Sequence, residues 1–163
     1  RGGKGPRPEP RFDVRDLTAG DRIDTGSAVV TAGTAVHLQP MMDCLAYRVD
    51  WDGGAVVFTG DTGRHEGLET LARGADTLVV NVWDRQENMS PAFASGFCGT
   101  LDAAGMATAA GARRLVIAHQ TAGLAHPESR EKAMAEMATV FEGEIVFGEE
   151  LMALDLDGEP FSN

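Results

Sequence analysis

The sequence predicts an α/β protein in which helices cover a largely buried sheet. Short apolar runs that suit strands alternate with stretches of helical periodicity, which is typical of α/β layers. The run over 76–82 has a continuous apolar centre at Leu78, Val79 and Val80, as expected of a strand buried on both faces. The 163 residues are 43% hydrophobic, enough for one domain with a core of its own.

Taken in order, the strands follow a linker-like beginning. Residues 1–12 are rich in Gly, Pro and Arg, which predicts a linker or the stub of a longer loop. A turn-rich segment then leads into the sheet. Strands are predicted over 27–36, 44–51, 55–60, 76–82 and 113–119, with one or two more over 144–158.

Three helices are predicted between these strands. The first has an apolar stripe and is stopped by Gly74; its stripe consists of Leu68, Leu71, Ala72 and Ala75. The second, Ala-rich, covers 101–112, with Thr100 as its cap and Gly111 at its end. The third begins at Pro127. Its expected core face is Met134, Met137, Ala138 and Phe141.

Composition excludes some classes of function. Lys and Arg number 14 and Asp and Glu 25, so the formal charge is −11, which repels phosphate backbones. We therefore expect no general nucleic-acid binding, although Arg113 and Arg114 form a small basic patch. No apolar run approaches the ~18 residues of a membrane span. Cys44 and Cys98 lack metal-type spacing and suggest free thiols in a reducing cytoplasm.

Three polar residues share an unusual placement, since each lies just beyond the end of a predicted strand. They are His37, Asp61 and His119. Ligands of α/β proteins bind at this carboxyl edge, and two imidazoles with a carboxylate form a partial ligand set for zinc. Individually, the aspartate could hydrogen-bond within its own turn or cap the helix that follows, and the histidines could be satisfied structural residues near a sheet edge. His65 and His126, near helix starts, are interpreted as surface histidines.

Four stretches in this order resemble the C-terminal half of a metallo-β-lactamase-fold hydrolase, most similar to the tRNA-maturation (RNase Z) and arylsulfatase-like branch. They are VHLQPMMDCLAYRVD, VVFTGDTG, GADTLVVNVWD and GTLDAAGMATAAGARRLVIAH. The resemblance covers about 12–157 and implies half of a four-layer αββα sandwich, over 13–157, with a tail at 158–163.

The resemblance also implies roles for the three polar residues. His37 and His119 match metal histidines, and Asp61 matches the carboxylate that bridges two divalent ions, zinc or alternatively manganese or iron. A metal-bound hydroxide would then attack an ester, lactone or phosphodiester. Gly60 and Gly63 would let the backbone turn sharply beside the carboxylate.

One departure from the family concerns completeness. The family's main motif, His-x-His-x-Asp-His, does not occur in this sequence. We therefore expect the chain to be a fragment whose N-terminal half lies upstream or in another chain, and to be inactive by itself. Half a sandwich exposes an apolar sheet face, so we expect it to need that half or a second copy, as in a homo-oligomer.

A second departure concerns catalysis. Phe97, in SGFCGT, stands where RNase Z enzymes carry a catalytic histidine, and Phe cannot transfer a proton. With the acidic charge, this argues against tRNA 3′ processing. Cys98 is expected to pack within the loop 84–99, which lacks periodicity. Asp84 is the candidate catalytic residue, lining a pocket with Trp83; alternatively, it caps a turn and Trp83 packs on the sheet.

Three functions follow from these observations. The favoured one is a metal-dependent hydrolase that acts on a small-molecule ester or phosphodiester. In it, the intact protein carries the whole metal site and this chain supplies part of it. One alternative is a non-catalytic binding or dimerisation module. The other is an RNA-processing nuclease, which the phenylalanine at position 97 disfavours.

Overall fold

The computed structural model describes residues 12–156. The linker predicted over 1–12 lies almost entirely outside them, and the tail over 158–163 lies wholly outside them. The strands are β1 (Arg22–Asp24), β2 (Val29–Ala35), β3 (Cys44–Trp51), β4 (Gly54–Phe58), β5 (Thr77–Asp84), β6 (Cys98–Gly99), β7 (Arg114–Ala118) and β8 (Glu144–Phe147). The helices are α1 (Glu66–Ala72), α2 (Pro91–Ala94), α3 (Thr100–Ala110), α4 (Ala122–Ala125) and α5 (Pro127–Met137), with a 3₁₀ turn at Gln86–Asn88.

The strands form one mixed sheet in the order β1-β2-β3-β4-β5-β7-β8, and β6 pairs with β5. β1 to β4 are antiparallel neighbours, whereas β4, β5, β7 and β8 are parallel. Because β2 and β4 both run antiparallel to β3, they point in the same direction. The carboxyl ends of β2, β4, β5 and β7 therefore meet at one edge of the sheet.

The hydrophobic core lies between one face of this sheet and the helices. Leu68 of α1, Met106 of α3 and Met137 of α5 are fully buried, and they pack in one cluster with inward-facing strand residues such as Leu78 and Ile117. Burying each such side chain contributes about 1.5–3 kcal/mol. The described residues thus form a sheet layer and a helix layer, which confirms the predicted α/β class.

The opposite face of the sheet is apolar but only partly covered. Alternation along β3 and β4 points Tyr47, Val49 and Phe58 away from the helices, and Tyr47 pairs directly with Phe58. The first two are half-buried, and Phe58 is 45% exposed. This face agrees with the expectation of an uncovered sheet surface.

The start of α3 differs from the prediction. Its N-cap is Gly99, because β6 leads directly into the helix, so Thr100 is the first helical residue instead of the cap. The Asp102 carboxylate accepts a hydrogen bond from the Gly99 N–H at 3.2 Å. The buried Thr100 hydroxyl instead donates to Glu136 at 2.5 Å and so links α3 to α5. Gly111 ends α3 at φ +69°, as predicted.

Two further expectations are corrected. The segment 84–99 is not structureless, since it holds the 3₁₀ turn, α2 and β6; Ser90 caps α2 through its hydroxyl and Pro91 begins it. On α5, Met134 is 37% exposed and Ala138 is exposed, while Ala133 is buried. The inward stripe of α5 is therefore Ala133 and Met137, four residues apart, and the predicted face was only partly right.

The remaining elements agree with the sequence. The 144–158 segment supplies one strand, β8, within the described residues. Arg48 of β3 donates to the carbonyl oxygens of Leu71 and Arg73, both at 3.0 Å, and so satisfies the end of α1. Among residues 12–156, no helix has the length and apolar character needed to cross a membrane.

Candidate functional site

The structure brings His37, Asp61 and His119 together at one edge of the sheet. They lie two, three and one residues beyond the ends of β2, β4 and β7. The Asp61 carboxylate lies between the two imidazoles. Its Oδ2 is 3.9 Å from His37 Nε2, and its Oδ1 is 3.1 Å from His119 Nδ1. The shared direction of the three strands produces this arrangement.

His37 is held in a defined orientation. Its side chain is only 13% exposed, and its Nδ1 lies 2.8 Å from the carbonyl oxygen of Gly96. A carbonyl oxygen only accepts, so Nδ1 is the donor and Nε2 is the nitrogen that faces Asp61. A Cβ at Gly96 would lie 2.8 Å from the His37 carbonyl oxygen, so this close approach requires glycine.

Asp61 is fixed by a sharp turn and by a residue that sequence reasoning missed. Gly60 precedes it at φ +61°, which glycine adopts without strain. The Asn81 amide of β5 donates to Asp61 Oδ1 at 2.8 Å. The only signal for Asn81 in the sequence was a polar residue inside an otherwise apolar strand. The Thr62 hydroxyl accepts from the Val36 N–H at 2.9 Å, tying the turn to the end of β2.

His119 has a strained backbone. Its φ is +53°, a left-handed conformation that is uncommon for residues other than glycine and costs on the order of 1–3 kcal/mol. Its side chain is 52% exposed, in contrast to that of His37. The next residue, Gln120, donates to the carbonyl oxygens of Ile117 and Gly148, at 3.3 and 3.0 Å. These bonds hold the turn after β7 in place.

The three side chains carry the donor types that metal sites use. Two imidazoles and one carboxylate are the donor types of zinc sites. Within residues 12–156, however, no group of three or more His, Cys, Asp or Glu side chains is arranged to hold a metal ion. Asp61 Oδ1 and His119 Nδ1 are at hydrogen-bonding distance from each other, at 3.1 Å.

Asp84 does not join this group. Its Oδ1 accepts hydrogen bonds from the Arg85 N–H at 2.7 Å and from the Asn88 amide at 3.1 Å. Both contacts organise the 3₁₀ turn that follows β5. The capping alternative for Asp84 therefore has structural support, and its catalytic role stays a prediction.

Aromatic side chains line the site beside His37. The Phe97 ring meets the His37 imidazole edge-on, with centroids 4.6 Å apart. Trp83 lies 4.8 Å from Phe97, and Phe93 lies 5.6 Å from Trp83 and 5.7 Å from Phe97. Trp83 thus packs against the loop. Phe97 supplies an apolar wall beside His37.

The other candidate side chains have structural roles. Cys98 is fully buried, and burial raises the pKa of its thiol to about 12, so it packs within the loop as expected. His65 is not a surface residue as predicted: it is half-buried, and its Nδ1 accepts from the Leu68 N–H at 3.3 Å as the N-cap of α1. Burial lowers the pKa of His65. His126 is exposed between α4 and α5.

Two curated relatives of similar sequence carry the name ribonuclease Z. A putative ribonuclease Z of Mycobacterium tuberculosis (strain CDC 1551 / Oshkosh) is 29% identical over 153 residues, covering 90% of this chain and 67% of that protein. The ribonuclease Z of Mycobacterium avium (strain 104) is 31% identical over 155 residues, covering 91% of this chain and 54% of that protein. The chain thus spans about half to two thirds of the length of these relatives.

Solved structures share the fold. The metallo-β-lactamase fold protein YhfI from Bacillus subtilis matches 82% of this chain and 50% of its own, with a TM-score of 0.69 and 22% identity. The short form of human tRNase Z matches 82% of this chain and 44% of its own, with a TM-score of 0.60 and 21% identity. The family model described as a beta-lactamase superfamily domain matches residues 3–120. The chain therefore belongs to the family of beta-lactamase superfamily domains and has the metallo-β-lactamase fold.

Proposed function

We propose that the intact protein is a metal-dependent phosphodiesterase and that this chain contributes His37, Asp61 and His119 as metal ligands. The observation that carries the proposal is the position of Asp61 between the two imidazoles, at 3.9 and 3.1 Å. The relatives named ribonuclease Z support the phosphodiester as the bond that is cleaved.

The chemistry of the three donors fits a divalent cation. His37 gives its Nδ1–H to the Gly96 carbonyl, so in the neutral imidazole Nε2 keeps its lone pair on the side of Asp61. A histidine ligand of a metal typically makes such a bond to a backbone carbonyl with its second nitrogen. Zinc suits this donor set, and manganese and iron accept the same donors.

Each residue then has a defined task. Divalent ions held by His37, Asp61 and His119 would polarise the phosphoryl oxygen and lower the pKa of a bound water molecule. Asp61 contributes negative charge and two oxygens at the middle of the site, and Asn81 orients one of them. The mostly buried His37 fixes one side of the site, and the strained turn at His119 presents the other imidazole to solvent.

The relatives bear on the substrate in one further way. The net charge of −11 argued against nucleic acid as a partner. Homologues named ribonuclease Z do not support that argument, and a nucleic-acid phosphodiester belongs among the proposed substrates. Phe97 has no ionisable group, so another residue must donate a proton to the leaving group.

The chain would complete its site with residues outside this sequence. We propose that 13–157 is the C-terminal half of the domain and that the other half, upstream or in a second chain, supplies the remaining ligands. The half-exposed sheet face around Tyr47, Val49 and Phe58 is the surface that this half, or a second copy, would cover. Covering such a face contributes roughly 25 cal/mol per Å² of apolar area.

The proposal is tested by hydrolysis. The protein with its natural flanking sequence is assayed with zinc on a chromogenic phosphodiester, alongside His37→Ala, Asp61→Ala and His119→Ala. Each variant should lose activity by at least about 100-fold. His126→Ala, which removes an exposed histidine at the junction of α4 and α5 that the proposal does not use as a ligand, is the matched control and should keep full activity. Full activity in all three site variants would overturn the proposal.

A further inference from the structure

The aromatic cluster, defined as Trp83, Phe93 and Phe97, adjoins the proposed metal ligands. Phe97 touches the His37 imidazole, and the other two rings pack against Phe97 within 4.8 and 5.7 Å. Because His37 Nε2 faces Asp61, the His37 imidazole lies between the cluster and the Asp61 carboxylate. A substrate held at the site would therefore have its neighbouring group beside these rings.

The cluster is partly accessible. Phe93 is 45% exposed, and Trp83 and Phe97 are half-buried. Three adjoining rings that keep contact with solvent at a candidate site are typical of surfaces that bind planar groups, because the faces of aromatic rings stack favourably.

The backbone that carries the cluster is held close to the site. A Cβ on Gly63, next to the Asp61 turn, would come within 2.8 Å of the Ala94 carbonyl oxygen, and one on Gly96 would come equally close to the His37 carbonyl oxygen. The segment 94–96 thus lies directly against both strand-end turns. Rings fixed in this way lose little freedom on binding, which favours affinity.

We propose that the aromatic cluster binds a planar unsaturated ring attached next to the scissile phosphodiester, either an aryl group or a nucleobase. This inference rests on the proposed function and names its substrate class. The net charge of −11 repels phosphate groups, so stacking on the rings would contribute affinity that phosphate contacts alone do not supply.

The test measures binding of three phosphate monoesters that carry the same head group: methyl phosphate, phenyl phosphate and uridine 5′-monophosphate. The protein with its natural flanking sequence and zinc carries Trp51→Phe, so that Trp83 is the fluorescent reporter within this chain. Ring-bearing ligands should change the emission and bind about tenfold more tightly than methyl phosphate. Preference for phenyl phosphate identifies an aryl substrate, and preference for the nucleotide identifies a nucleobase.

Two substitutions separate stacking from packing. Phe93→Ala and Phe93→Leu should both abolish the tenfold preference, since neither residue offers a ring. Because Phe93 is 45% exposed, neither change leaves a buried cavity. Phe12→Ala removes a 79% exposed ring elsewhere and should leave the preference unchanged.

Equal affinities for the three ligands would overturn the inference. The inference would also be overturned if no ligand changed the Trp83 emission and Phe93→Ala lowered the melting temperature. Those results together would mean that the other half of the domain covers the rings. Failure of the proposed function is distinguishable. A ring preference without phosphodiester hydrolysis refutes only the activity, whereas hydrolysis without a ring preference refutes only this inference.

Discussion

Replacing Gly96 by alanine should damage the candidate site through its orientation, without removing any ligand. The new Cβ would stand 2.8 Å from the His37 carbonyl oxygen, whereas ordinary contacts are 3.4 Å or longer. The loop must therefore shift by about half an ångström, which weakens the 2.8 Å bond from His37 Nδ1 to the Gly96 carbonyl. Overpacking costs about 1–3 kcal/mol, and the hydrogen bond about 1 kcal/mol.

Two assays follow from these magnitudes. Gly96→Ala should lower the melting temperature by roughly 10 °C. It should also weaken zinc binding about 10- to 100-fold in a chelator competition, as loss of a bond that orients a ligand does. Gly123→Ala is the control, because its Cβ would meet nothing closer than 3.7 Å. A Gly96→Ala protein that binds zinc as tightly as the parent would refute the orienting role of this carbonyl.

Three further outcomes are expected. Asn81→Ala should cost about 1 kcal/mol and lower zinc affinity about tenfold, whereas Asn88→Ala, which loses a comparable bond to Asp84, should leave zinc binding unchanged. The pKa of His65 is lowered on folding, so the unfolded chain takes up its proton first; the stabilisation from His65 is present above about pH 6.5 and is lost as the pH falls below it. Urea unfolding measures the free energy of unfolding at pH 8 and pH 5. The decrease between the two should be smaller in His65→Asn, which keeps a capping oxygen, than in the parent; an equal decrease would contradict this. With its pKa near 12, Cys98 should resist iodoacetamide at pH 8 in the folded protein, and rapid modification seen by mass spectrometry would contradict its burial.

Much of the fold was predictable because its signals are local. Strand β7 is a compact, mostly apolar run, and β3 combines apolar and aromatic residues that favour strands. Gly111 ends α3 because a residue without a Cβ adopts a φ of +69° without strain. The meeting of the three polar residues was also predictable, since the ends of strands that run in one direction share an edge.

What the sequence did not predict depends on contacts between distant segments. Asn81 and Gly96 take their importance from partners 20 and 59 residues away. Thr100 is a residue type that often caps helices, but its hydroxyl donates a hydrogen bond to Glu136 of α5. The exposed Met134 could not be distinguished from core by periodicity, because α5 presents a narrow inward stripe.

The most direct test of the central claim is the metal content of the protein with its natural flanking sequence, purified without chelators and measured by elemental analysis. The account predicts about two divalent ions per polypeptide in the parent, a large loss in Asp61→Ala, and no change in His126→Ala. Equal metal content in the parent and in Asp61→Ala would contradict the claim that this carboxylate lies at the metal centre.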